Sequence, residues 1–141
     1  MNFIRGSHYP HAPAFARACD SLGICFWAEA PFWSSTTGGD ATDWRVSGYP
    51  TNASDQAGFD ANTLMQLREL IRTKRNHPSI IVWSMCNEPF FAGGEAGNKA
   101  LLKKMVNLTH SEDSTRLAAI GGCQRDGSND CGAQKHITDL F

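Results

Sequence analysis

The residues Arg75-Asn-His-Pro-Ser-Ile-Ile-Val-Trp-Ser-Met-Cys-Asn-Glu-Pro89 decide how the rest of the chain is read. A segment with helical periodicity ends in basic residues and runs into His77-Pro78. Ser79 to Ser84 then makes an apolar run of the kind a strand buried on both faces requires. Asn87-Glu88-Pro89 follows at once. Parallel barrels carry their catalytic acids at the C-terminal ends of buried strands, so a carboxylate with an amide neighbour at this point is a candidate for chemistry.

The flanking sequence repeats the order strand, then helix. Upstream, Phe59 to Arg75 reads as a helix, with Phe59, Leu64, Leu67, Leu70 and Ile71 at helical spacing and Asp60 suited to its N-terminal end. Arg68, Arg72, Lys74 and Arg75 read as a solvated face that complements the helix dipole, with an anion site as the alternative. Ala30 to Gly58 is one long irregular stretch, and its Trp33, Trp44 and Tyr49 favour a functional loop over disorder. Ile24 to Ala28 is another buried strand and ends on Glu29. Ala12 to Leu22 is a helix, with Pro13 in its first turn and Gly23 as its stop. Asn2 to Arg5 is a short strand that feeds the loop Ser7-His-Tyr-Pro-His11. Downstream come a Gly-rich loop from Phe90 to Gly97, an amphipathic helix from Asn98 to His110 and a strand from Arg116 to Ile120. A polar loop from Gly121 to Gln134 and an apolar opening at Ile137 to Phe141 complete the chain.

Alternating strands and helices imply an α/β fold with parallel pairing and right-handed crossovers. A complete (β/α)8 barrel takes about 250 residues. The 141 residues are therefore expected to form a partial (β/α)8 TIM barrel, residues 1–141 being one slice of a single catalytic domain that is incomplete at both ends.

Composition narrows the partners. A net charge of -1 favours neither nucleic acid nor an anionic membrane. No apolar run approaches the length of a membrane span, and the opening residues make no signal peptide. Compartment and oligomeric state are not legible. The five cysteines form no disulfide framework. Cys19, Cys25 and Cys86 read as small core residues, whereas Cys123 and Cys131 flank a loop and could pair. Asn52-Ala-Ser54 and Asn107-Leu-Thr109 match the glycosylation acceptor pattern, which is too short to decide anything.

If the strands close as in a barrel, their C-terminal ends bring Arg5, His8, Glu29, Asn87 and Glu88 to one pocket. A cation, an imidazole, an amide and two carboxylates suit recognition of sugar hydroxyls and acid/base work. Glu88 is the candidate proton donor, because a partly desolvated Glu can hold its proton near neutral pH. Asn87 is either a donor to a substrate hydroxyl or a turn residue. His8 is either a ligand contact or a structural hydrogen bonder. Arg5 is either a carboxylate partner in the pocket or a surface residue. Glu29 is either a substrate contact or part of a structural ion pair, with Arg5 as the candidate partner. His77 reads as structural, and Trp27 and Trp83 as core. Trp33 and Trp44 read either as loop packing or as rings that stack on a sugar.

Three stretches resemble family 2 glycoside hydrolases, the β-galactosidase and β-glucuronidase family: Asn2-Phe-Ile-Arg-Gly-Ser-His-Tyr-Pro-His11, Ala18-Cys-Asp-Ser-Leu-Gly-Ile24, and Arg75 to Pro89. The resemblance covers most of the chain and keeps the family's order. It implies strands two to six, roughly, of a (β/α)8 barrel and a retaining mechanism that acts on terminal β-glycosides. It also implies that Glu88 is the general acid/base and that Arg5 and His8 line the sugar site. The nucleophilic Glu of the family is expected beyond Phe141, so the fragment is expected to be inactive alone. Some β-galactosidases of the family bind magnesium through a Glu-x-His after strand three. Here Glu29 is followed by Ala-Pro-Phe-Trp-Ser-Ser, so neither a metal nor a cofactor is expected. Asn-Glu after strand four is shared with other retaining barrels, so an endo-glucanase or mannanase stands as an alternative, as does a non-catalytic carbohydrate-binding remnant.

Overall fold

In the computed structural model, which describes residues 1–33, 48–89, 95–121 and 137–139, the chain alternates strand and helix. The elements are β1 (Phe3–Gly6), α1 (Pro13–Leu22), β2 (Cys25–Glu29), α2 (Ala53–Lys74), β3 (Ile80–Asn87), α3 (Glu95–Glu112) and β4 (Leu117–Gly121). The strands form one parallel sheet in the order β1-β2-β3-β4. The order never reverses, unlike that of a doubly wound sheet at its switch point. Right-handed crossovers taken always in one direction put the helices on one face, and α2 and α3 pack on each other and on β3.

Local chemistry sets the element ends. Pro13 opens α1, and Gly23 closes it at φ 65°, the left-handed conformation that glycine adopts without a steric cost. α2 begins at Ala53, six residues before the sequence reading, with Asp55 rather than Asp60 in its first turn. Ala53 to Gly58 carries no apolar stripe, so periodicity could not find that turn and a half; the expected irregular stretch is shorter for the same reason. Farther along, Thr63, Leu67, Leu70, Ile71 and Lys74 form the buried stripe of α2. β3 runs on to Asn87 instead of stopping at Ser84.

The helix-facing side of the sheet holds the core. Phe26 is buried edge-on against Phe15, and His11 packs on both rings. Trp83 and Met85 are fully buried, with Trp83 Nε1 donating to Asp113 just past α3 (2.9 Å) and Thr109 of α3 donating to Met85 Sδ (3.3 Å). Each such side chain contributes about 1.5–3 kcal/mol by leaving water. Cys19 and Cys86 are buried as expected, and Cys25 is half-buried. Trp83 is core as expected, while Trp27 is half-buried. Cys123, Cys131 and Trp44 lie outside the described residues.

The basic half of α2 is not simply a solvated face. Lys74 is buried, and its ammonium donates to the His11 carbonyl, tying the loop after β1 to the helix. Arg68 and Arg72 both bind Glu112 of α3, with Arg72 Nε donating at 2.7 Å and Arg68 Nε at 3.0 Å. Among the described residues, no helix is long and apolar enough to cross a membrane.

Candidate active site

The C-terminal ends of β1, β2 and β3 meet around one buried carboxylate. Glu29, the last residue of β2, has no exposed surface. Arg5 of β1 clasps it, with Nε donating to Oε2 at 3.2 Å and Nη2 donating to Oε2 at 3.0 Å. Ser84 of β3 donates to Oε2 as well, at 2.9 Å. Arg5 Nη2 then reaches across to Asn87 Oδ1 at 2.7 Å. A buried charge needs both a counter-charge and hydrogen bonds, and Glu29 has both.

A β-bulge makes this convergence possible. Between β3 and β4 the register steps from Ser84↔Ala119 to Asn87↔Gly121, three residues on one strand against two on the other. Side chains alternate faces along a strand, so without the extra residue Asn87 would point away from Ser84. The bulge returns Asn87 to the face of Arg5 and Glu29. Gly121 is the other requirement. A β-carbon there would lie 2.0 Å from Arg5 Nη2 and 2.9 Å from Asn87 Oδ1, so only glycine leaves room for the pair.

Glu88 stands next to this network without joining it. Its φ is 39°, which makes it the one non-glycine residue with positive φ among the described residues. That conformation is uncommon for a residue with a β-carbon and is found where surrounding structure enforces it. Here the enforcement is a backbone bond from Glu88 N–H to the Gly121 carbonyl (3.0 Å), with Asn87 N–H on the Phe32 carbonyl (3.1 Å) just before it. The Glu88 residue is half-buried. Among the described residues its carboxylate has no hydrogen-bond partner.

His8 closes the site on the β1 side. Its Nδ1 is buried and lies 3.5 Å from Glu29 Oε1, too long for a good hydrogen bond, and has no other partner among the described residues. The ring stacks on Trp33 with centroids 5.2 Å apart and planes at 13°. Burial pushes the neighbouring Cys86 thiol well above its ordinary range, reinforced by the negative charge of Glu29 and opposed by Arg5. That thiol therefore stays neutral.

Of the residues singled out in the sequence, the structure brings Arg5, His8, Glu29 and Asn87 into one contact set and sets Glu88 at its edge. His77 belongs elsewhere, bonded to Asp20 at the opposite end of the strands, and His11 lies in the aromatic core. Sequence reasoning missed Ser84 and Gly121. Ser84 could have been noticed as the polar residue inside an apolar strand. Gly121 stood at the expected end of the next strand, but nothing local showed that Arg5 and Asn87 pack against it. Among the described residues no three His, Cys, Asp or Glu side chains cluster as metal ligands would.

A parallel sheet wound in sequential order, with polar residues gathered at its C-terminal ends, is the arrangement of part of a (β/α) barrel. The family model for the TIM barrel domain of glycosyl hydrolases family 2 matches residues 1–138, and the chain belongs to that family. A beta-glucuronidase of Bacteroides fragilis is 39% identical over 118 residues, covering 82% of this chain and 15% of the relative. The beta-galactosidase large subunit of Latilactobacillus sakei is 33% identical over 129 residues, covering 89% of this chain and 19% of the relative. The crystal structure of a Bacteroides uniformis beta-glucuronidase superimposes with a TM-score of 0.76 at 30% identity, covering 99% of this chain and 16% of that one. The chain thus spans less than a fifth of the length of these proteins.

Proposed function

We propose that the chain is a section of a retaining glycoside hydrolase that cleaves terminal β-glycosidic bonds in a β-galactosidase-like manner, with Glu88 as general acid/base. The observation that supports the reading is the Glu88 backbone, held at positive φ beside the Arg5–Glu29–Asn87 network, with no partner for its carboxylate among the described residues. Glycosidic cleavage needs a carboxyl that delivers a proton to the leaving oxygen and later takes one from water. A side chain tied into an ion pair cannot do this, and Glu88 is free of one among the described residues.

The other residues take supporting roles in this reading. Asn87 and Arg5 present hydrogen bonds to sugar hydroxyls, and His8 borders the same pocket. Glu29 acts indirectly: fully buried and bound to Arg5 and Ser84, it fixes the guanidinium that Asn87 shares. Retention takes a second carboxylate about 5–5.5 Å from the first. Glu29 is committed to Arg5, so the nucleophile comes from outside these residues, and the four strands of the sheet are a consecutive part of the barrel. A β-glucuronidase is the second reading, favoured by the likeness to the Bacteroides uniformis enzyme.

The test is Glu88→Gln in the full-length protein, assayed with aryl β-galactoside and aryl β-glucuronide. General acid/base groups contribute about 10²–10⁴-fold, so turnover falls by that range with the melting temperature unchanged. Wild-type turnover that survives the substitution sinks the assignment. The bare 141-residue chain is expected to turn over neither substrate.

A further inference from the structure

We infer that Trp33, backed by His8, is the platform on which the leaving group of the substrate stacks, and that the favoured leaving groups carry a ring with an apolar face. The inference rests on the reading of Glu88 as proton donor and goes beyond it by naming what lies on the far side of the bond that is cut.

Position comes first. The backbone bond from Asn87 N–H to the Phe32 carbonyl pins the segment after β2 against the end of β3. Trp33 and Glu88 are the next residue on each side of that bond, so the two backbones leave the sheet side by side. The indole lies nearly parallel to His8, at 13° with 5.2 Å between centroids, and Tyr9 meets His8 edge-on at 6.3 Å. His8 in turn sits beside Glu29. One face of Trp33 is thereby supported by a side chain of the pocket itself.

Exposure comes second. Trp33 is 43% exposed and Tyr9 58% exposed, while Glu29, Ser84 and Asn87 inward of them are buried. An enzyme that removes a terminal sugar holds that sugar innermost, among Arg5, Asn87 and the buried charge. The remainder of the substrate must pass outward, past the proton donor, over whatever lines the mouth. A supported aromatic face at that point has the geometry for offset stacking, which contributes beyond area burial only when the partner also presents a flat face. A second sugar and an aryl group both do so, and a methyl group does not.

The experiment compares kcat/KM for a β-linked disaccharide, an aryl β-glycoside and the methyl β-glycoside of the same sugar, in the full-length protein. Trp33→Ala is expected to lower the ring-to-methyl ratio of kcat/KM by about fivefold to tenfold, as stacking of this strength implies. Trp33→Phe is expected to keep most of the ratio. Trp33→Leu retains bulk without a ring, so it carries the same test where alanine unfolds the loop. Loss on the aryl arm alone assigns the platform to planar aromatic groups; loss on both ring arms assigns it to sugars as well. A ratio unchanged within twofold in both the Ala and Leu variants overturns the inference, leaving Trp33 as packing for His8. Failure of the underlying reading looks different: Glu88→Gln retains turnover, and the two assignments fall together.

Discussion

At the N-terminal ends of the strands, Asp20 accepts a backbone hydrogen bond from Ser79 at 3.0 Å and pairs with His77 at 2.5 Å. Asp113 there accepts from Trp83, Thr115 and Arg116, and Arg116 also donates to the Ile80 carbonyl. Those carboxylates all have partners, and those partners belong to the elements they join. At the C-terminal ends Glu29 is treated the same way, yet among the described residues Glu88 and the Nδ1 of His8 lack hydrogen-bond partners. One end is a set of clamps. The other is a clamp next to groups left available. The presence of carboxylates, which both ends share, therefore does not separate them; incomplete pairing under an enforced backbone does, and the proposed role of Glu88 rests on that difference.

Exchanging the roles of Glu29 and Glu88 should expose that difference most sharply. Glu88→Gln affects turnover and leaves stability alone, as argued above. Glu29→Gln should do the converse. It leaves the Arg5 guanidinium without its counter-charge, and breaking a buried pair costs about 3–5 kcal/mol. Arg5, the charge left behind, is about one-third exposed, so the cost falls below that range, at about 2 kcal/mol. Denaturant unfolding measures the loss, and the fall in turnover should be smaller than for Glu88→Gln. Equal damage to both properties in both variants would erase the distinction between clamp and available group.

Much of this arrangement was legible in the sequence. The strand after His77-Pro78, the α/β order and the gathering of Arg5, His8, Glu29, Asn87 and Glu88 follow from apolar runs and from what ends them. What was not legible depends on register. No local pattern announces that an extra residue between Ser84 and Asn87 turns the amide back to the Arg5 face, because bulges arise from pairing with a distant strand. The basic cluster on α2 misled for a related reason. A lysine at that spacing looks solvated until the loop carrying His11 folds over it. The early start of α2 escaped because its first turns bury nothing.

A smaller effect tests how tightly the clamp is built. Gly121→Ala places a methyl group on the Arg5 guanidinium, which Glu29 and Asn87 hold from other directions. An unpinned arginine tip would swing aside, but this one must first break hydrogen bonds. Overpacking of this kind costs about 1–3 kcal/mol. Urea unfolding should show it, together with reduced turnover as Asn87 shifts. A neutral outcome on both would mean that the network is looser than its distances imply.

The smallest effect belongs to the opposite end. Burial alone would raise the Asp20 carboxyl, but hydrogen bonds from Ser79 and His77 outweigh it and hold the group at about 2. An unfolded Asp titrates near about 3.9. Between those values the unfolded chain binds the proton and the folded chain does not. The stabilisation is therefore complete above about pH 4 and is lost as pH falls toward 2. Asp20 is partly solvated, so the amount is small, about 1 kcal/mol. Asp20→Asn should remove this pH-dependent part, so melting temperatures measured from pH 6 down to pH 3 should converge between wild type and variant as acid is added. Turnover at neutral pH should stay at the wild-type level, because nothing at this end of the sheet reaches the substrate. A variant that keeps the full acid sensitivity of the wild type would place that sensitivity in another carboxylate. A variant that loses turnover would carry the influence of these clamps through the sheet to the other end.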